Sequence, residues 1–297
     1  MTGSTIRNRA IVWAYRAMER FVMSTPERLG RAVADAAAHA AYRALPRVRE
    51  VVAANQARVI GRPVDDPLVR AATEECFELY ARYWYDTFRA RVISHDEVLR
   101  RTTFRDGKHI DEALEAGRGC ITVLPHMGNW DIGGHWLAIN GYRVASVAED
   151  LRPREIFEQF LRHREALGLR IIPLLEGTHV GQQLAGLLSD NWVVALVADR
   201  DLSGRGVEVE MFGASRRLPA GPALLSLSTG APLLVCPTWT MPEGWLVQVG
   251  APLEIQRTGR MKEDVTALTR RMGEEFERAI AARPPDWHLF QPAWPSG

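Results

Sequence analysis

Lysine is almost missing: Lys108 and Lys262 are the only two, and arginine carries the rest of the positive charge. Genome base composition explains that bias as readily as a need for bidentate phosphate recognition. Net charge is scarce too. The 37 basic residues nearly cancel 36 acidic ones, so no whole-chain field exists to draw nucleic acid, and any phosphate binding must be local. Cys76, Cys120 and Cys236 are scattered, odd in number, set in apolar surroundings and without a CxxC. That excludes a disulfide framework or zinc knuckle and fits a reducing cytoplasm. The longest uncharged stretch, residues 218–242, is broken by Pro219, Pro222, Pro232 and Pro237. No run approaches the roughly 20 apolar residues of a spanning helix. The first residues carry Arg7, Arg9, Arg16 and Arg20 and no unbroken apolar region, unlike a secretory signal. A G-x-S-x-G elbow, a Walker A loop and a strand-linked G-x-G-x-x-G are absent, which argues against a serine hydrolase, a P-loop enzyme and a dinucleotide-dependent oxidoreductase.

What is present is an ordinary globular composition, 46% apolar and 25% charged over 297 residues, enough for a sizeable core. Residues 6–91 repeat apolar side chains every three or four positions, the helical period. After Gly119 short apolar runs alternate with helical segments, with strands expected at CITVL, RVASVA, RIIPL, VVALVA, LLVCP and WLVQV. The pattern predicts an α/β fold: a central, mostly parallel sheet flanked by helices, with a helical N-terminal portion. We read residues 1–297 as one domain, helical over 1–105 and α/β over 106–297, closing on an amphipathic helix at about 262–283 and an aromatic tail, DWHLFQPAW. The stripe of Ile11, Trp13, Ala14, Ala17, Phe21 and Val22 among arginines admits two readings, an interfacial helix or a core helix.

The segment ITVLPHMGNWDIGG places His126 just after a strand and Asp131 five residues on, with Asn129 positioned to cap a helix starting at Trp130. Carboxyl ends of strands are where α/β sheets keep their sites. A histidine there takes the proton of an attacking hydroxyl, and a carboxylate on its far nitrogen fixes the tautomer. The spacing alone is weakly specific, since a capping aspartate and a structural histidine five apart arise by chance; Gly128, Gly133 and Gly134 around the pair favour close substrate approach. A zinc site from His126, Asp131 and His135 is the lesser alternative, and Glu176 in LLEGTH reads as a turn before a helix. Arg152, Arg154, Arg164, Arg200, Arg205, Arg216 and Arg217 are candidates for phosphate groups, most of them expected to be solvated surface.

In order, PHMGNWD, VAEDLRP, HREALGLRIIPL, VADRDLSGRGVEVEMFG, LPAGPALLSLSTGAP and DWHLFQPAW, with YARYWYDTFR earlier, resemble the actinobacterial phosphatidylinositol mannoside acyltransferases. These are grouped with the lipid A lauroyl and myristoyl acyltransferases in the H-x4-D glycerolipid acyltransferase superfamily. The resemblance implies an α/β fold with an apolar acyl tunnel, an acyl-CoA donor carrying a long chain such as palmitoyl, and no cofactor or metal. The implied acceptor is the 6-hydroxyl of the mannose on the inositol 2-position of a phosphatidylinositol mannoside, met at the cytoplasmic face of the cell membrane by a peripheral protein. By motif it makes His126 the general base and Asp131 its orienting partner. Glu149 becomes a wall of the acceptor pocket, Arg164 a donor contact and His288 a neighbour of the site. Asp199, in ADRDL, stands where the family's block usually carries glutamate, and is expected to keep a second carboxylate near the imidazole on a shorter side chain. Arg205 and Ser228 fall where relatives contact the donor, with residue types other than the usual ones. The competing readings are an acyltransferase for another lipid acceptor, a lipid A-like sugar or glycerol phosphate, and a non-catalytic acyl-lipid-binding protein.

Overall fold

A computed structural model describes residues 3–149, 153–175 and 178–294. Arg152 and Glu176 lie outside the described residues, as does the side chain of Arg7. Five helices open the chain: α1 (Gly3–Ser24), α2 (Glu27–Ala44), α3 (Pro46–Ile60), α4 (Pro67–Arg89) and α5 (His95–Arg101). Local chemistry sets their ends. Proline opens α3 and α4 where its missing N–H costs nothing, the Asp66 carboxylate accepts from Leu68 N at 2.8 Å, and Gly61 ends α3 at φ +70°. The apolar stripe of α1 is a surface. Val22 is buried, but Trp13 is 74% exposed and Ile11, Ala14, Ala17 and Phe21 also face outward, while Tyr15, Glu19 and Val22 turn toward the protein. The core reading of that stripe therefore fails except at Val22. No described helix is long and apolar enough to cross a membrane.

The α/β part follows in chain order: β1 (Thr102–Arg105), α6 (Lys108–Glu115), β2 (Cys120–Leu124), α7 (Trp130–Ile139), β3 (Val144–Glu149), α8 (Arg154–Ala166), β4 (Leu169–Leu174), α9 (Val180–Ser189) and β5 (Val193–Val197). It continues through β6 (Val207–Met211), β7 (Ala214–Leu218), α10 (Gly221–Thr229), β8 (Leu233–Val235), β9 (Thr238–Met241), β10 (Gly244–Gln248), α11 (Met261–Ala282) and a 3-10 turn, Pro284–Asp286. Five parallel strands form the central sheet in the order β4-β3-β5-β2-β8. All five β2 residues are buried, as expected of a parallel strand covered on both faces. Beside it, β1 runs parallel to β10 and β9 antiparallel to β10, while β6 and β7 form a separate hairpin.

Each of the six expected strands is a strand, and the terminal helix falls within one residue of its expected ends. The boundary at residue 105 moves, because β1 lies inside the stretch read as helical and pairs with β10, more than 140 positions downstream. The β6–β7 hairpin escaped notice because only alternate positions are buried: Val209 and Met211 on one strand, Arg216 and Leu218 on the other.

Candidate active site

The site grows from the carboxyl end of β2. Gly128 has φ +56°, and a Cβ there would sit 2.2 Å from the Thr238 carbonyl oxygen, so this bend admits only glycine. Asn129 then caps α7, its side-chain oxygen accepting from Ile132 N at 3.0 Å. The C-terminal segment fastens the same bend from outside: Gly128 N donates to Asp286 O at 3.0 Å, and His288 N to His126 O at 2.7 Å. The main chain of His126 and of the bend after it is thereby pinned to the C-terminal segment.

Its partner is Asp199. His126 Nδ1 lies 2.5 Å from Asp199 Oδ1, whose other oxygen accepts from Trp287 Nε1 at 2.8 Å. Asp199 is completely buried, whereas the His126 side chain is 24% exposed and its Nε2 has no partner among the described residues. Burial works to raise the Asp199 carboxyl, but the charge and hydrogen bond of His126, the Trp287 indole and the charge of Arg216 outweigh it and hold it well below the usual carboxylate range. An ionised Asp199 takes the Nδ1 proton as a hydrogen bond and leaves the Nε2 lone pair for substrate.

Asp131 is not the orienting partner. Its buried carboxylate accepts from Arg164 Nε at 2.6 Å and Nη2 at 3.3 Å, and from the Tyr83 hydroxyl at 2.9 Å. As the second residue of α7 it projects toward α4 and α8, away from the strand ends where the Nδ1 side of His126 meets β5. Burial works to lower the Arg164 guanidinium, and the Asp131 charge reverses this. The H-x4-D aspartate thus ties α4, α7 and α8 together. The zinc alternative falls with it, since Asp131 is engaged by Arg164 and His135 Nδ1 bonds Leu167 O at 2.8 Å.

His288 is buried against Tyr80 and Tyr83, ring centroids 5.6 and 6.0 Å away, and neither ring nitrogen has a hydrogen-bond partner among the described residues. Burial pushes its pKa down to about 3, so it is neutral near pH 7, offering one donor and one acceptor. Glu149, at the end of β3, is half-exposed and paired with Arg200 at 3.7 Å on the rim. Two assignments are not brought together with the rest. Arg205 is exposed in the loop before β6, and Ser228 is exposed on α10, its hydroxyl bonded back to Leu225 O at 3.1 Å; neither lines the cavities at His126. Tyr80, Tyr83 and Trp287 belong to the site and were not singled out in the sequence, where the density of aromatics in YARYWYDTFR and DWHLFQPAW was their only signal; Trp130, read only as the start of a helix, lines it as well.

Two cavities meet here. An open cleft of about 310 Å³ is lined by Tyr80, Trp84, His126, Glu149, Arg200 and His288, among others. A narrow channel of about 50 Å³, walled by Phe104, Ile110, Leu137, Val144 and Val249, runs between the sheets along Gly133 and Gly134 of α7. Trp130, Arg164 and Val197 border both. The three cysteines are buried, and burial raises each thiol, that of Cys120 to about 12, which makes them poor nucleophiles.

An imidazole held by a buried carboxylate, its other nitrogen facing a cleft that adjoins an apolar channel, is apparatus for activating a hydroxyl toward a group carried on an apolar chain. Residues 2–296 match the family of bacterial lipid A biosynthesis acyltransferases, and the chain belongs to that family of acyltransferases. It is 38% identical over 284 residues to the phosphatidylinositol mannoside acyltransferase of Mycolicibacterium smegmatis, covering 94% of this chain and 90% of the relative. To the protein of the same name from Mycobacterium tuberculosis it is 39% identical over 297 residues, covering 98% and 90%.

Proposed function

We propose that this acyltransferase moves a long acyl chain, palmitoyl in the first instance, from acyl-CoA to the 6-hydroxyl of the mannose on the inositol 2-position of a phosphatidylinositol mannoside. The observation that carries the reading is the His126–Asp199 pair facing an open cleft that shares Trp130, Arg164 and Val197 with a narrow, mainly apolar channel. The names and identities of the relatives support the acceptor.

In this mechanism the acyl chain occupies the channel, which widens from its narrow resting bore, and the sugar lies in the cleft beside Glu149 and Arg200. His126 Nε2 removes the hydroxyl proton as the oxygen attacks the thioester carbonyl, and Asp199 stabilises the imidazolium that forms. The oxyanion is held by the first N–H groups of α7, at Trp130 and Asp131, which a helix leaves without intrahelical partners. His126 then returns its proton to the departing CoA thiolate. No covalent acyl-enzyme forms, consistent with the buried thiols. The acceptor is a lipid, so attachment is peripheral, at the cytoplasmic face of the membrane, through the exposed side of α1.

Mass spectrometry of the product made from palmitoyl-CoA and purified phosphatidylinositol mannosides tests the reading, with lipid A precursors and glycerol phosphate as competing acceptors. The expected outcome is one added acyl group on the mannose, lost in His126→Ala. Acylation of a competing acceptor alone would reassign the substrate, and transfer that survives His126→Ala would dismiss the base.

A further inference from the structure

Arg216 sits on β7 with 4% of its surface exposed, its guanidinium carbon 5.5 Å from the centre of the Trp287 ring and 5.4 Å from that of Trp294. One nitrogen, Nη2, donates to the backbone oxygen of Asp199 at 2.5 Å, while Nε and Nη1 have no hydrogen-bond partner among the described residues. Among the described residues no carboxylate lies within 4 Å of it. The two indole faces attract the guanidinium by cation–π contact, but that contact requires no hydrogen bond to Asp199 and leaves two buried N–H groups unsatisfied at a desolvation cost. Stacking on the indoles therefore does not by itself account for where the charge is aimed. The one hydrogen bond does, because it goes to the residue whose carboxylate holds His126, and Trp287, beneath the guanidinium, donates to that same carboxylate.

We propose that Arg216 is a positioning residue for the His126–Asp199 pair, fixing the Asp199 backbone through its carbonyl and supplying a positive charge that limits how strongly Asp199 favours the protonated imidazole. The inference rests on the reading of His126 as the base. Asp199 faces His126 from the end of β5, and Arg216 from β7 and the uncharged Trp287 from the C-terminal segment meet Asp199; His126 also has neutral His288 beside it, with the Arg200–Glu149 pair at the rim. With Arg216 gone, Asp199 acts on the imidazole unopposed. More of the enzyme is then imidazolium, which cannot accept a proton.

The test compares wild type with Arg216→Met, Arg216→Gln, which keeps a donor without charge, and Arg216→Lys. The His126 titration midpoint is read by NMR on the protein alone, with thermal melting, and the acidic limb of kcat/KM is then measured. Both neutral variants are expected to raise the midpoint by about one pH unit, a tenfold increase in the imidazolium-to-imidazole ratio, and to move the acidic limb the same way. Arg216→Lys should restore both, and Arg216→Met should melt no lower than wild type. An unchanged midpoint in whichever neutral variant folds, with a lowered melting temperature, would overturn the proposal and make Arg216 a packing residue. Because the titration needs no substrate, a shifted midpoint in an enzyme that fails to acylate the mannoside would stand for Arg216 and against the proposed acceptor.

Discussion

Asp131 and Asp199 are both buried, but only Asp199 touches His126, and the geometry gives them opposite consequences when neutralised to asparagine. In Asp199→Asn the amide nitrogen replaces one oxygen of a carboxylate that lies 2.5 Å from His126 Nδ1 and 2.8 Å from Trp287 Nε1. The Trp287 indole only donates, so it claims the amide oxygen, and the amide N–H then faces Nδ1. That enforces the tautomer with its proton on Nε2, the wrong one for a base. Loss of the base's tautomer costs about 1,000-fold to 10,000-fold in kcat, while the shape of the site is kept and the melting temperature should hardly change. In Asp131→Asn the Arg164 guanidinium loses the carboxylate at 2.6 Å and remains buried with half of its partnership gone. An unpaired buried cation of this kind costs about 3–5 kcal/mol of stability, and activity falls through unfolding and displaced helices. The assay is thermal melting and urea unfolding with initial acyl-transfer rates, each variant measured well below its own melting temperature. Full stability with a thousandfold loss in Asp131→Asn, alongside near-normal rates in Asp199→Asn, would reverse the assignment.

Three further outcomes follow from named contacts. Asp199→Glu, although it restores the family's usual residue, is expected to lower kcat and to cost about 1–3 kcal/mol of stability, because a completely buried side chain already in contact at both oxygens has no room for a methylene; a rate at or above wild type would show that the end of β5 yields. His288 is held neutral, with its pKa depressed from 6.5 to about 3, so the folded state binds fewer protons than the unfolded one between those values and stability falls as pH falls from about 6.5 toward 3. Urea unfolding should record about 2 kcal/mol less from this group at pH 5 than at pH 7, a slope that His288→Phe removes; an unchanged slope would assign the protons elsewhere. Vesicles containing phosphatidylinositol should sediment with the protein in a salt-sensitive way, and less so after Trp13→Ala and after Arg9, Arg16 and Arg20 become glutamine, at about 1 kcal/mol per basic residue near the surface; equal binding to neutral vesicles would return α1 to another role.

Much of the frame was legible because its signals are local. β2 is a continuous apolar run, Gly128 stands where φ must be positive, and Asn129 is a helix cap followed by a periodic helix. The error over Asp131 was also local in origin. Five positions of sequence suggested contact, but a residue in the first turn of α7 points away from the strand it follows. The true partner is a product of register. β2 pairs with β5 so that Leu124 lies opposite Val197, and two residues further along each chain come His126 and Asp199. Nothing in CITVL or VVALV states that these two strands are neighbours, so only the resemblance pointed to Asp199. Trp287 and His288 arrive from the end of the chain, Tyr83 from the helical part, and Arg216 from a hairpin whose burial alternates too briefly to be seen.

The two carboxylates divide the labour of the site. Asp199 meets the imidazole from the sheet, where parallel pairing fixes the ends of β2 and β5 side by side and Trp287 and Arg216 lock its orientation. Asp131 meets Arg164 from α7, and that ion pair, roofed by Tyr83 and by Phe160 at 4.1 Å from the guanidinium carbon to the ring centre, stands where cleft and channel share a wall. A polar wall between an open cleft and an apolar channel must be rigid, because any donor left open to the channel would lose its partner without gaining water. The bidentate Arg164–Asp131 pair supplies that rigidity, with both partners satisfied by fixed geometry. The spacing of His126 and Asp131 along the chain then has a physical reason without a bond between them: it sets the length of bend needed to present the imidazole on one side of α7 while the helix's own carboxylate closes the wall on the other.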